Sequence, residues 1–261
     1  DYIAAGADII TTNTYGIIRA ELAKEGIEGR FAELNTLACE LAKEARDDAS
    51  REVMIAGSLP PLGGSFRPDL VGSDEKIEAL YAEQAELLAP HVDLLLCETM
   101  SSAAEGRAAA KAACGTGKPV WVAWTLHEDR SGKLRSGESI SDAVQALLDL
   151  PVHGLLVNCC APESVTRAMP CLVATDTEWI GGYANTFTPI PEDWELDGEK
   201  ETDGSLTLRS DLNPESYAAH VTEWLKSGAT VVGGCCGTRP SHIAKIRSIM
   251  DTNARRANHV I

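Results

Sequence analysis

Short, nearly continuous apolar runs alternate along the chain with longer stretches in which apolar residues recur every three or four positions. The runs are ADIITTNT (7–14), VMIAGSL (53–59), VDLLLCET (92–99), PVWVAWTL (119–126), HGLLVNC (153–159), EWIGGYAN (178–185) and TVVGGCCG (230–237). Hydrophobicity without alternation is the mark of strands covered on both faces, so these runs predict a parallel sheet. Between them the period changes to that of a helix. In ELNTLACELAKEARDD the residues Leu34, Leu37, Ala38, Leu41, Ala42 and Ala45 form one apolar stripe, and DEKIEALYAEQAELLAPH repeats the pattern with Ile77, Leu80, Tyr81 and Leu88. LNPESYAAHVTEWLKSG carries its own boundaries: Asn213 as N-cap, Pro214 at the first helical position and Gly228 beyond the end.

Repeated strand–helix units predict an α/β fold, and the length of 261 residues suits one large barrel domain over 1–261. An eight-stranded (β/α)8 TIM barrel needs one more strand than the runs supply. The chain opens on DYIAAGAD, which reads as the end of a helix, so the first strand–helix unit is expected to be missing from this sequence. The polar stretch 191–211 is too long for a tight connection and reads as an insertion after the seventh barrel strand.

Charge narrows the class of partner. Thirty-nine acidic against 23 basic side chains give a formal charge of −16, which repels nucleic acid and anionic membranes. No stretch reaches the roughly 20 apolar residues of a bilayer span, and the first residues lack a signal peptide's basic start and long apolar core. A cytoplasmic protein acting on small molecules is the expectation, and a homo-oligomer is compatible with it. Eight cysteines without a CxxC pair fit neither a disulfide scaffold nor a zinc ribbon.

In a barrel, chemistry collects at the C-terminal ends of the strands. Those ends carry Asn13 and Tyr15, Gly57 and Ser58, Cys97 and Glu98, Asn158-Cys159-Cys160, Asn185, and Cys235-Cys236. Three thiol-bearing positions thus converge on one rim, and thiolates are preferred ligands of Zn²⁺. Adjacent residues of a regular strand face opposite ways, so Cys235 and Cys236 share an ion only where the backbone leaves strand geometry. Gly233, Gly234 and Gly237 are expected to supply that freedom. Three protein ligands leave a fourth position open, the pattern of a catalytic zinc.

The segments TTNTYG, GSLPPLGGSFRPDL, CETMSS, LLVNCC, GGYANTF and GGCCGT together resemble the homocysteine S-methyltransferase family, from residue 1 to about 250. That family includes betaine-, S-methylmethionine- and dimethylsulfonio-dependent enzymes and the homocysteine-binding module of cobalamin-dependent methionine synthase. The resemblance implies a zinc-containing (β/α)8 barrel with Cys159, Cys235 and Cys236 as ligands and the homocysteine sulfur as the fourth. It implies that Glu98 holds the substrate ammonium group, that Asn185 lines the metal site, and that Asn13 and Tyr15 border the same pocket. Gly57 and Ser58 are expected to bring backbone amides to the substrate carboxylate. An Asp-Gly-Gly segment of the family's first strand has no counterpart here.

The physical logic agrees. An alkyl thiol is mostly protonated at neutral pH, and only its thiolate is a useful nucleophile. Coordination to zinc removes the proton. The expected reaction moves a methyl group from a sulfonium or quaternary ammonium donor to homocysteine, giving methionine, with no side-chain general base. The alternatives are a zinc hydrolase on the same barrel and a non-catalytic thiol- or metal-binding relative.

Overall fold

The computed structural model describes residues 1–72, 74–191, 194 and 206–257. Seven parallel strands pair in chain order: β1 (Ile9–Thr11), β2 (Met54–Leu59), β3 (Leu94–Met100), β4 (Val120–Trp124), β5 (Gly154–Asn158), β6 (Trp179–Ala184) and β7 (Val231–Gly234). Every run singled out in the sequence is a strand. The sheet curls into most of a barrel and stays open between β1 and β7, which do not pair. Among the described residues this is a TIM-barrel-like α/β fold with seven strands, as the apolar runs predict.

Helices cover the outer face. α1 (Arg19–Lys24) and α2 (Phe31–Asp47) connect β1 to β2; α3 (Asp74–Leu88), α4 (Ala103–Cys114), α5 (Ile140–Gln145), α6 (Pro162–Val173) and α7 (Pro214–Lys226) fill the later crossovers; α8 (Pro240–Ala257) follows β7. Their starts are chemically specified. The Asn213 side chain accepts from the Glu215 and Ser216 amides at 3.1 and 3.0 Å, with Pro214 at the first helical position. Ser139 and Asp142 form a capping box at α5, and Ser102 caps α4. The opening segment ends as a helix does: the Ala7 amide donates to the Tyr2 carbonyl, the Gly6 amide to the Ile3 carbonyl, and Gly6 has φ +106°.

One helix face differs from its pattern. α2 buries Phe31, Asn35, Ala38, Cys39 and Ala42, while Leu37 and Leu41 are 44% and 56% exposed. Asn35 is the reason. Its amide nitrogen donates to the Phe31 and Ile17 carbonyls, and its oxygen accepts from Gln84 on α3. A buried amide needs those partners, and seating it brings the small residues Ala38, Cys39 and Ala42 against the layer beneath.

The core has two parts. The larger lies between sheet and helices, around Ile55, Leu95, Val122, Trp124, Val157 and Trp224. The smaller fills the barrel interior with Ala56, Leu94, Leu96, Trp121, Ala123 and Leu156. Period-two alternation connects the interior to the rim: Leu94 and Leu96 lead to Glu98, Ala56 to Ser58, Leu156 to Asn158, and Val231 to Gly233 and Cys235.

Candidate metal centre

Three thiols meet at the C-terminal rim. Cys159 follows β5, and Cys235 and Cys236 follow β7; their sulfurs all lie within 4.8 Å of one another. Cys159 Sγ is 3.7 Å from Cys236 Sγ, and Cys235 Sγ is 4.0 Å from Cys236 Sγ. Tetrahedral bonds of about 2.3 Å place two thiolate sulfurs about 3.8 Å apart, so the donor set fits Zn²⁺ in type, number and spacing.

Local backbone geometry achieves the convergence. On β5 the inward residues are Leu156 and Asn158, so a regular strand would send Cys159 outward. Instead Cys159 adopts φ +47°, its amide donates to the Tyr183 carbonyl at 3.1 Å, and its carbonyl accepts from Thr125 Oγ1 at 3.1 Å. Cys160 then turns into the outer core, where burial raises its thiol to about 12. On β7, Cys235 keeps the inward parity of Val231 and Gly233, and the chain turns at Cys236 and Gly237. Among the three glycines expected to loosen this stretch, only Gly237 has a left-handed φ, of +78°. Gly234 serves a different purpose, because a Cβ there would lie 2.5 Å from Thr238 Oγ1. That hydroxyl donates to the Cys235 carbonyl at 2.6 Å and locks the turn.

The cluster is electrostatically unequal. Hydrogen bonds from Cys159 and then Cys235 hold Cys236 well below the usual thiol range. Contacts of Cys235 with Cys159 and then with Cys236, together with burial, push Cys235 up. Cys159 is lifted too: its bond with Cys235 opposes the rise, but Cys236 and burial outweigh it. Cys159 and Cys235 are thus held toward the protonated form, and a divalent cation would displace their protons.

The other residues marked in the sequence distribute unevenly. Glu98, at the inner end of β3, is 7% exposed; Oε1 accepts from Ser58 Oγ at 2.6 Å and Oε2 from the Tyr183 hydroxyl at 3.0 Å. Burial raises its pKa, the two hydroxyls pull it back, and charge on Cys236 adds to the rise. Asn185, 1% exposed, puts its Nδ2 at 4.0 Å from Cys159 Sγ while its oxygen accepts from the Phe187 amide. The Tyr15 hydroxyl hydrogen-bonds Ser65 Oγ at 2.8 Å, and burial first, then its nearness to Cys159, pushes its pKa up.

Three marked positions sit differently. Asn13 is exposed, and its neighbours Thr12 and Thr14 are the buried pair, bonding the Ser58 amide and carbonyl. Gly57 pairs with Leu95 inside the ladder, where a Cβ would press on Leu95 and Val92. The Ser58 amide is already used by Thr12 Oγ1 at 3.0 Å, so the part Ser58 plays at the rim is its hydroxyl on Glu98.

Other residues complete the site, among them Asn158 of the predicted strand ends and several that the sequence did not single out. Tyr183 follows the inward parity of β6. Asn158 clamps Thr99, whose amide and hydroxyl it meets at 2.8 and 2.9 Å, in a left-handed conformation with φ +64° that a β-branched residue otherwise avoids. Phe66, Ile190 and Trp194 pack with Cys159 as an apolar cover. A groove of about 670 Å³ between residues such as Arg46, Arg51 and Asp93 lies at the opposite end of the strands, beside the start of β2, and touches none of these groups.

Comparison with known proteins agrees with this geometry. A homocysteine S-methyltransferase from Escherichia coli K12 is 28% identical over 267 residues, 95% of this chain and 81% of its own length. The crystal structure of the homocysteine methyltransferase MmuM from Escherichia coli in its metallated form superposes with a TM-score of 0.77 at 27% identity, covering 95% of this chain and 81% of that one. Its apo form gives a TM-score of 0.69 at 25% identity over the same shares. The sequence profile of the homocysteine S-methyltransferases matches residues 1–250, and the chain belongs to that family.

Proposed function

We propose that this enzyme methylates homocysteine from a sulfonium or quaternary ammonium donor, that the transfer depends on zinc, and that Cys159, Cys235 and Cys236 hold the ion. The observation that carries the reading is the convergence of three sulfurs within 4.8 Å at the ends of two different strands. When bound, Zn²⁺ supplies a cationic centre that keeps thiols deprotonated at neutral pH.

The chain's own groups do the rest by placement. The Glu98 carboxylate, oriented by Ser58 and Tyr183, receives the substrate ammonium group. Tyr15 and Asn185 line the rim beside Cys159. Phe66, Ile190 and Trp194 exclude water over the thiols, and orienting the two reactants accounts for much of the acceleration. The new bond joins the homocysteine sulfur to the methyl carbon as the methyl–heteroatom bond breaks. The broken bond's electron pair leaves with the donor as a neutral sulfide or amine, and the thiol proton passes to solvent. A hydrolase on this barrel is disfavoured, because three thiolates weaken zinc as a Lewis acid toward water.

The test combines metal analysis with a donor screen. Protein purified without chelators should carry about one zinc per chain, and Cys235→Ala should lose it. Homocysteine with S-methylmethionine, S-adenosylmethionine, betaine, dimethylsulfoniopropionate or methylcobalamin should yield methionine, read by mass spectrometry, with at least one donor. No zinc and undiminished turnover in Cys235→Ala would remove the zinc dependence. No methionine from any donor would remove the reaction.

A further inference from the structure

The two chain segments that carry the thiols are tied together by a short ring of contacts. Asn185 and Thr186, just beyond β6, bridge them through the backbone: the Asn185 amide donates to the Cys160 carbonyl at 3.1 Å and the Thr186 amide to the Cys236 carbonyl at 3.0 Å. The Thr186 carbonyl in turn accepts from the Arg209 amide at 2.8 Å. Arg209 closes the ring with its side chain. Its Nη1 and Nη2 donate to the two oxygens of Glu163 at 2.9 and 2.8 Å, and Glu163 is the second residue of α6, four positions after Cys159. Asp211 holds another edge of the same guanidinium, accepting from Nε at 3.1 Å and from Nη2 at 2.7 Å.

Exposed ion pairs contribute little, because water screens them and two long side chains must be ordered. This one is different. The Arg209 side chain is only 13% exposed, its planar fork meets both carboxylate oxygens, and Asp211 fixes its orientation. Burial pushes the Glu163 carboxyl up and the contacts with Arg209 more than offset that, so the pair is charged at neutral pH. The place of the pair matters as much as its geometry. β5 and β7 are separated by β6 and share no ladder, so no direct strand pairing sets the 3.7 Å between the Cys159 and Cys236 sulfurs. We infer that Arg209 is a positioning residue that, through Glu163 and Thr186, sets the spacing of these two sulfurs and thereby how long the site retains its metal. The inference rests on the metal reading of the thiols and adds what keeps them in register.

The experiment follows zinc release from the loaded protein into excess chelator. Arg209→Ala should release zinc about tenfold faster than wild type. Arg209→Lys, which keeps the charge and loses the fork, should fall between the two. Glu163→Gln should match Arg209→Ala, and the double variant should be no faster than either, because each removes the same contact. Arg107→Ala breaks a different arginine–carboxylate pair, with Asp149 beyond α5; it should lower Tm and leave zinc release unchanged. Equal acceleration in Arg107→Ala, or none in Arg209→Ala, overturns the positioning role. A metal-free arm separates this claim from the zinc reading. Phenylarsine oxide bridges two thiols only where their sulfurs lie close, and in a Cys235→Ser background the pair left at the rim is Cys159 and Cys236. That background should capture the arsenical, and adding Arg209→Ala should weaken capture several-fold. Unchanged capture overturns the positioning role. A wild-type protein that holds no zinc, with capture still dependent on Arg209, would sink the metal reading and leave the spacing role standing.

Discussion

At the scale of single residues, the carboxylates behave as buried acids whose neighbours decide their charge. Glu98 is raised by burial and pulled back by Ser58 and Tyr183. Tyr183→Phe removes one hydroxyl that favours the ionised form, so the Glu98 pKa rises further. In the role proposed for Glu98 the homocysteine ammonium group meets an ionised carboxylate, and the acid limb of kcat/KM for homocysteine should therefore move to higher pH in Tyr183→Phe. Glu98→Gln should raise KM for homocysteine about ten- to a hundredfold, with zinc retained. Glu105, away from the thiols, supplies the stability counterpart. It is 3% exposed, burial lifts its pKa to about 7, and the Ser101 amide and hydroxyl, both 2.7 Å from Oε2, only partly offset that. The folded protein thus holds a proton that the unfolded chain releases near pH 4.5, and stability falls as pH rises from there to about 7. Glu105→Gln should flatten that decline and raise Tm at pH 8, by thermal denaturation across the range; the ceiling is about 3 kcal/mol.

At the scale of elements, turns do what strands cannot. Gly237 is the residue that lets Cys236 fold back toward Cys159: its φ is +78°, and a Cβ would sit 2.1 Å from Thr186 Oγ1. Gly237→Ala combines a left-handed alanine, about 1–2 kcal/mol, with that collision. The expected outcome is a lower Tm and zinc occupancy well below one per chain by metal analysis, while Gly233→Ala, whose Cβ would only touch Tyr183 Cβ at 3.4 Å, should keep its zinc. The strands and their ends were legible because a doubly covered strand leaves an unbroken apolar run, and counting by two from Leu94 or Val231 reaches Glu98 and Cys235. Parity also reaches Tyr183, a signal that was present in GGYANTF. It fails at Cys159 and Thr99, where positive φ re-aims the chain, and periodicity cannot announce that. It failed on α2 as well, because hydrophobicity ranks Leu37 above Asn35 and takes no account of the hydrogen bonds that seat the asparagine. Phe66 and Trp194 were illegible for another reason: they come from loops far apart in sequence, and only the fold packs them edge-on beside Cys159.

At the scale of the molecule, the open seam sets where the structure should yield. β3, β4 and β5 pair on both sides and are buried throughout, whereas β1 pairs only with β2 and β7 only with β6, and the residues of β7 are partly exposed. Across the seam the chain is joined by side chains in place of a ladder. The Tyr2 hydroxyl donates to the Thr238 carbonyl at 3.0 Å, and Arg247 on α8 donates through Nε and Nη2 to the Gly6 carbonyl at 3.0 and 2.9 Å while pairing with Asp8. Asp8 also receives Arg51, so one carboxylate just before β1 gathers two arginines from elements on either side. Local opening free energy follows buried contacts and doubly bonded backbone, so amides of 7–12 and 231–237 should exchange well before those of β3–β5 in a hydrogen-exchange time course. Arg247→Ala deletes the Gly6 contacts, a loss of about 1–3 kcal/mol confined to the seam. Exchange should then accelerate at both edges and leave β3–β5 unchanged. Because Cys235 and Cys236 lie directly beyond β7, the variant's zinc should also dissociate faster into a chelator. Uniform acceleration across the whole sheet would instead mean that the barrel opens as one cooperative unit, with the seam as strong as the centre.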